Sequence, residues 1–159
     1  MAEHTIRRVV LGSDHRGVEL RLSLARRCLA AGLEVADLGP PPGSPAVDYP
    51  DQAAAVGRAA AAGRAELGLL VCGTGIGVSI AANKIAGIRA ALVAEPHGAA
   101  LARRHNDANV LCFGAGSVGL ELASSCLEAF LAARFEGDRH QRRLDRIAAL
   151  EGRPGGLGE

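Results

Sequence analysis

Cys72 closes an apolar run and is followed by three glycines at alternate positions, in the stretch LLVCGTGIGVSIAANK from Leu69 to Lys84. A strand that ends in a thiol and turns at once into a helix has a definite chemistry. The positive end of the helix dipole favours the thiolate, which acts as a nucleophile or as a base toward a carbon-bound proton. Gly73, Gly75 and Gly77 let backbone N–H groups face a concavity suited to a phosphate, a carboxylate or a developing oxyanion. On the loop alone, this cradle and a tight packing turn are both open. The spacing G-x-G-x-G is not the dinucleotide fingerprint, and no G-K-[ST] follows it.

The elements that must position this loop are visible as five short apolar runs, at 6–12, 33–39, 67–73, 88–94 and 109–114. Helical stretches alternate with them. In the first, 17–31, Leu20, Leu24 and Cys28 share one face at four-residue spacing. The next, 51–63, is Ala-rich, follows Pro50 and ends at Gly63. Further helices are expected over 75–86, 96–106 and 118–135. The alternation predicts a three-layer Rossmann-like α/β sandwich, with a five-stranded parallel sheet and helices on both faces. After Phe135 an extra C-terminal helix carries Leu144, Ile147, Ala148 and Leu150 as an apolar stripe. It packs either on another subunit or back on its own domain. One domain is expected over 1–151, and the tail 152–159 has too little to bury and is expected to be disordered.

Composition narrows the function. With 18 Lys and Arg against 17 Asp and Glu, the net charge of +1 gives no basic excess for nucleic acid or a membrane surface. No apolar stretch reaches the length of a membrane span. Three Phe, one Tyr and no Trp leave the core to Ala, Leu, Val and Ile. The four cysteines show neither C-x-x-C nor zinc spacing, and the start MAEHTIRRVVLGSDH runs straight into a strand-like segment. Free thiols in a cytoplasmic protein are expected. Cys28, Cys112 and Cys126 read as small buried hydrophobes.

Ligands of open α/β sheets bind at the carboxyl ends of the strands. The first strand ends in GSDHRG with Asp14 and His15, the third in CGTGIG with Cys72 and Thr74, and the fourth in AEPHG with Glu95 and His97. RRHNDAN, before the fifth strand, brings His105 and Asn106. These groups are expected to converge on one edge. Asp14 has the competing role of a helix cap, and His105 that of closing a helix. His97, after Pro96, reads as structural. Arg139 and Arg143, four apart on one helix face, suit a phosphate dianion or form a solvated face.

Taken together, GSDHRGVEL, DYPD, CGTGIGVSIAANK, GIRAAL, RRHNDANVLCFG and GDRHQRR, in this order between Ile6 and Leu150, resemble ribose-5-phosphate isomerase type B. That family includes relatives acting on other sugar phosphates. The resemblance implies an aldose–ketose isomerase without metal or cofactor, taking a phosphorylated sugar, with neither nucleic acid nor membrane as partner. It also implies a homodimer or homotetramer with active sites at the subunit interface. By motif, Cys72 would move the C2 proton to C1 through a cis-enediolate, and Thr74 would assist proton movement between the oxygens. The amides of Gly73, Gly75, Ile76 and Gly77 would hold the enediolate charge. His105 would open the furanose ring, Asp14 would contact the reacting hydroxyls with Asn106 nearby, and His15, Arg139 and Arg143 would hold the phosphate.

Two departures stand out. Val78 occupies the position where some members carry a glutamate base, which fits the cysteine version. Gly116 stands where many members carry an arginine, so one expected phosphate contact is missing. Tetrulose 4-phosphate, allose 6-phosphate and galactose 6-phosphate therefore stand beside ribose 5-phosphate as substrates. A non-catalytic nucleotide or phosphate sensor would need G-x-G-x-x-G after the first strand and an acid ending the second, and neither is present.

Overall fold

The computed structural model describes residues 6–152. Its elements alternate as read from the sequence: β1 (Arg8–Ser13), α1 (Val18–Ala30), β2 (Glu34–Asp37), α2 (Tyr49–Ala61), β3 (Leu67–Cys72), α3 (Ile76–Ala82), β4 (Ala90–Leu92), α4 (Pro96–Asn106), β5 (Val110–Gly114), α5 (Leu120–Ala132) and α6 (Asp138–Glu151). The expectation of a disordered tail falls, beyond Gly152, outside the described residues.

The strands form one sheet in the order β2-β1-β3-β5-β4, every neighbouring pair parallel. Side chains alternate between two cores, as the two-residue strand period requires. Val9, Leu11, Leu69, Val71, Leu111 and Phe113 face α1, α4 and α5. Val10, Leu70, Cys72, Val110 and Cys112 face α2 and α3. β1, β3 and β5 are buried almost throughout, whereas β2 and β4 are exposed or half-buried. The expectation of strands covered on both faces thus holds for the three inner strands only. The outer two are short edges, as edges in natural sheets commonly are.

Two local features hold the carboxyl end of β1 in shape. Asp14 N donates to Val71 O at 3.2 Å, joining the turn after β1 to the end of β3. A Cβ on Gly17 would lie 2.7 Å from the same carbonyl, so only glycine lets α1 start this close to the strand. Behind the turn lies Arg21, 1 % exposed, whose guanidinium donates to Ser13 Oγ and Pro40 O at 2.8 Å each and faces Asp37 at 3.0 Å. A buried charge is tolerated when paired and hydrogen-bonded, and here it fastens the Pro-rich loop 39–44 to the end of the first strand.

α6 follows the sixth-helix expectation and turns back onto its own domain. Leu144 and His140 are buried, and Glu151 accepts from Gly87 N with both carboxylate oxygens. Ile147 and Leu150 stay exposed, so the apolar stripe is covered only in part.

Replacing Arg21 with Ala leaves Asp37 without its cation and the loop carbonyl of Pro40 without a donor. Urea unfolding is expected to show a loss of about 3 kcal/mol, and an unchanged midpoint would contradict the clamp.

Candidate active site

Chain direction reverses across the sheet between β1 and β3: from β1 the chain moves to β2 on one side, while β3 lies on the other. The crevice at such a switch point is where open α/β sheets bind ligands. Asp14 and Cys72 sit at its two lips. Cys72 is buried, and Gly75 N donates to its Sγ at 3.1 Å. A backbone donor is thus aimed at the sulfur where the strand gives way to the helix. Asp14 is also buried, and its Oδ1 accepts from Arg16 N at 2.9 Å and Gly17 N at 3.1 Å. Asp14 therefore closes the turn before α1 rather than capping the helix, as the sequence had offered, since the N-cap Gly17 has no side-chain hydrogen bond. Its Oδ2 is left without a protein hydrogen bond among the described residues.

The glycine loop has the shape it has because larger residues do not fit. Gly75 adopts φ 74, and a Cβ there would meet Leu92 Cδ1 at 2.5 Å and the Phe113 carbonyl carbon at 2.7 Å. The end of β5 braces the loop, with Ala115 N donating to Cys72 O and Gly116 N to Gly73 O, both at 2.9 Å. Thr74 is exposed, and its Oγ1 accepts from Ile76 N at 3.3 Å. Two of the amides assigned to an anion cradle thus already serve groups of the loop itself, Gly75 N the thiol and Ile76 N the Thr74 hydroxyl. Tyr49, absent from the candidate residues, packs its ring on Gly77, where a Cβ would lie 2.6 Å from it. Its signal was the DYP at the start of α2, which reads as an ordinary helix start.

The expected convergence on one edge does not occur within one chain. In this parallel sheet each helix runs back against its strands, so residues that follow a helix lie at the amino edge. Asn109 O accepts from Gly68 N at 2.9 Å, which puts the segment after α4 beside the beginning of β3. About 13 Å of strand then separates that level from Cys72 at the far end. His105 and Asn106, at the end of α4, lie at the amino edge, away from Cys72, Asp14, His15 and Thr74 at the carboxyl edge. Glu95 also leaves the set, because it caps α4 by accepting from His97 N and Gly98 N. His97 is exposed, and its backbone N–H is one of the two donors to Glu95.

A second constellation forms at the amino edge. The His105 and His140 rings stack at 4.3 Å with 8° between their planes. Glu136 Oε2 lies 3.6 Å from Nε2 of each ring, and Glu136 is paired with Arg104. The hydrogen bond from Arg104 holds the Glu136 carboxyl below its ordinary value. Burial pushes His140 below its ordinary value, reinforced by His105, Arg139 and Arg143 and opposed by Glu136. Arg139 and Arg143 are exposed on the first turns of α6. His105, Glu136 and His140 place three donor atoms within 4.8 Å of one another. Parallel stacked rings send their in-plane lone pairs side by side rather than toward one point, a poor arrangement for a shared ion. Of the remaining thiols, burial raises Cys28 to about 11 and lifts Cys112 and Cys126, consistent with inert core residues.

A model of the Ribose/Galactose Isomerase family matches residues 9–147. This chain belongs to that family. Among its relatives, ribose-5-phosphate isomerase B of Escherichia coli is 47% identical over 148 residues, covering 93% of this chain and 99% of the relative. Ribose-5-phosphate isomerase B of Clostridium thermocellum superposes with a TM-score of 0.88 at 42% identity, over 91% of this chain and 97% of that one. The Mycoplasma genitalium enzyme, solved with bound ribulose-5-phosphate, gives a TM-score of 0.88 at 41% identity, over 93% of this chain and 98% of that one. The likeness covers both constellations in this member of the family.

Because the folded state holds His140 neutral more firmly than the unfolded chain does, protonating it works against the fold. The stability this contributes is complete above the ordinary histidine value near 6.5 and falls as pH drops from there through the depressed folded value. Urea unfolding at pH 7.5 and 5.5 should show a larger loss for the parent than for His140→Gln. Equal losses would contradict a buried, neutral His140.

Proposed function

We propose that this chain interconverts D-ribose 5-phosphate and D-ribulose 5-phosphate through a cis-enediolate, with Cys72 as general base, in a site shared by two copies. The observation that carries the chemistry is the buried Cys72 thiol, held under the Gly75 amide at the switch-point crevice. The thiolate takes the proton from C2, and the C–H electron pair becomes the C1–C2 double bond. The carbonyl oxygen at C1 takes up the negative charge. The thiol then returns the proton to C1, while Thr74 carries the hydroxyl proton from the oxygen of C2 to that of C1. No redox partner is required, since the electrons stay within the substrate. Asp14, through its free Oδ2, orients the hydroxyls.

Ring opening and phosphate binding fall to the second constellation. His105 protonates and deprotonates the ring oxygen and anomeric hydroxyl. Arg139 and Arg143 meet the phosphate from one side and His15 from the other, with Asn106 alongside. Since His105, Asn106, Arg139 and Arg143 lie at the amino edge and Cys72 at the carboxyl edge, one chain cannot bring them to one substrate. A second copy that sets its amino edge against the first copy's crevice completes the site, and a two-fold dimer does so twice. The exposed Ile76, Ile80 and Leu92 beside the crevice supply apolar surface for such a contact.

A single domain over 1–151 carries this activity, and we place it in the cytoplasm, a setting that suits four free cysteines. Among the described residues no helix is long and apolar enough to cross a membrane. Remote binding of the phosphate positions the reacting carbons and contributes to the rate, so the site is tuned to one chain length.

Cys72→Ala should retain binding of ribose 5-phosphate and lose at least about a hundredfold in kcat. Full turnover in that variant would refute the assignment of the base. Comparing kcat/KM for four-, five- and six-carbon sugar phosphates tests the substrate, and a preference for any but the pentose would overturn it.

A further inference from the structure

The turn after β1 carries a second cation that the assignment above does not use. Arg16 is exposed, yet its side chain does not extend into solvent. It lies over the glycine loop, where a Cβ on Gly73 would come within 3.1 Å of Arg16 Cζ and Nε. The glycine at 73, next to the reacting thiol, leaves the guanidinium this place. Among the described residues the Arg16 side chain has neither an ion pair nor a hydrogen bond. Glu19, which lines the same cavity, is not paired with it. An arginine fork laid on a backbone surface without an acid is a ready anion contact.

Its base is rigid. Arg16 N donates to Asp14 Oδ1, and Gly17 packs against the end of β3. With His15, Arg16 lines a cavity of about 370 Å³ closed on its far side by Pro40–Ser44, the loop that Arg21 fastens. Gly116 lies across Gly73, with the Gly73 carbonyl as its one neighbour within 4 Å of a Cβ, and adds no side chain there. On the Cys72 side of the crevice the cationic side chain laid against Gly73 is therefore that of Arg16, which stays protonated at any working pH.

We infer that Arg16 is a specificity-determining residue that binds the substrate phosphate together with His15, from the same copy that supplies Cys72. This rests on the sugar-phosphate reading above and adds a contact to it. Arg139 and Arg143 approach the phosphate from the other copy, so the dianion is enclosed from two sides. The role belongs to binding, because a guanidinium that stays protonated neither takes nor gives the migrating proton.

Arg16→Met keeps the length and the packing on Gly73 and removes the charge. It should raise KM for ribose 5-phosphate about tenfold, with the effect falling on KM rather than kcat, and raise the inhibition constant of inorganic phosphate by a similar factor. Arg16→Lys should recover part of both losses, and the thermal midpoints should match the parent. Unchanged KM and phosphate inhibition in Arg16→Met, or a loss confined to kcat, would overturn the inference. Calorimetric titration of the parent and of Arg16→Met with inorganic phosphate gives an independent readout. If the parent turns over no sugar phosphate, the isomerase reading fails, while weaker phosphate binding in Arg16→Met still supports the contact and equal binding refutes it.

Discussion

In a parallel α/β sheet every helix returns against the strand it follows, and that constraint governs where chemistry can be placed. Residues after a strand gather at one edge, and residues after a helix gather at the other. Here the first group is Asp14, His15, Arg16, Cys72 and Thr74, and the second is His105, Asn106, Glu136, Arg139, His140 and Arg143. Both are dense in polar and titratable side chains, yet under the proposed function neither alone is a complete site. One holds the proposed base without the proposed ring-opening residue. The other holds cations and imidazoles without a base for carbon. Under the proposed function, association of two copies is then part of the catalytic design rather than an addition to it.

The carboxyl edge depends on close approach of backbones. Gly17 against Val71, Gly75 against Phe113 and Gly114 against Thr74 are contacts that a methyl group would break. They bring the ends of β1, β3 and β5 together tightly enough that the Gly75 amide reaches the Cys72 sulfur. Under the proposed function, preorganisation of this kind lets the loop hold the base in place without moving as the reaction proceeds. At the amino edge the means are electrostatic. Glu136, tied to Arg104, offsets the crowding of two stacked imidazoles and two arginines, and burial keeps His140 neutral there.

Much of this was legible in the sequence. The βα alternation and the strand-to-helix turn at Cys72 follow from apolar periodicity and glycine placement, whereas the exposure of the edge strands β2 and β4 does not. α4 was read to the residue because Pro96 and the basic last turn mark its ends. α5 begins two residues later than read, since Val118 is buried yet non-helical. The edge assignment of His105 and Asn106 misled because proximity to a strand in sequence does not say which end of it is near. His140 and Glu136 were passed over because a histidine and an acid amid arginines look like a solvated face. Tyr49 was hidden by its role in starting α2. What could not be read locally was in each case a contact between distant segments.

The central claim is that Cys72 and His105 serve one substrate from two different chains. Mixing Cys72→Ala with His105→Ala protomers, each inactive alone, tests it most directly. After unfolding and refolding together, half of the dimers are mixed and each has one intact site, so activity should return to about a quarter of the parent. Activity that stays at the sum of the two separate variants would contradict the shared site.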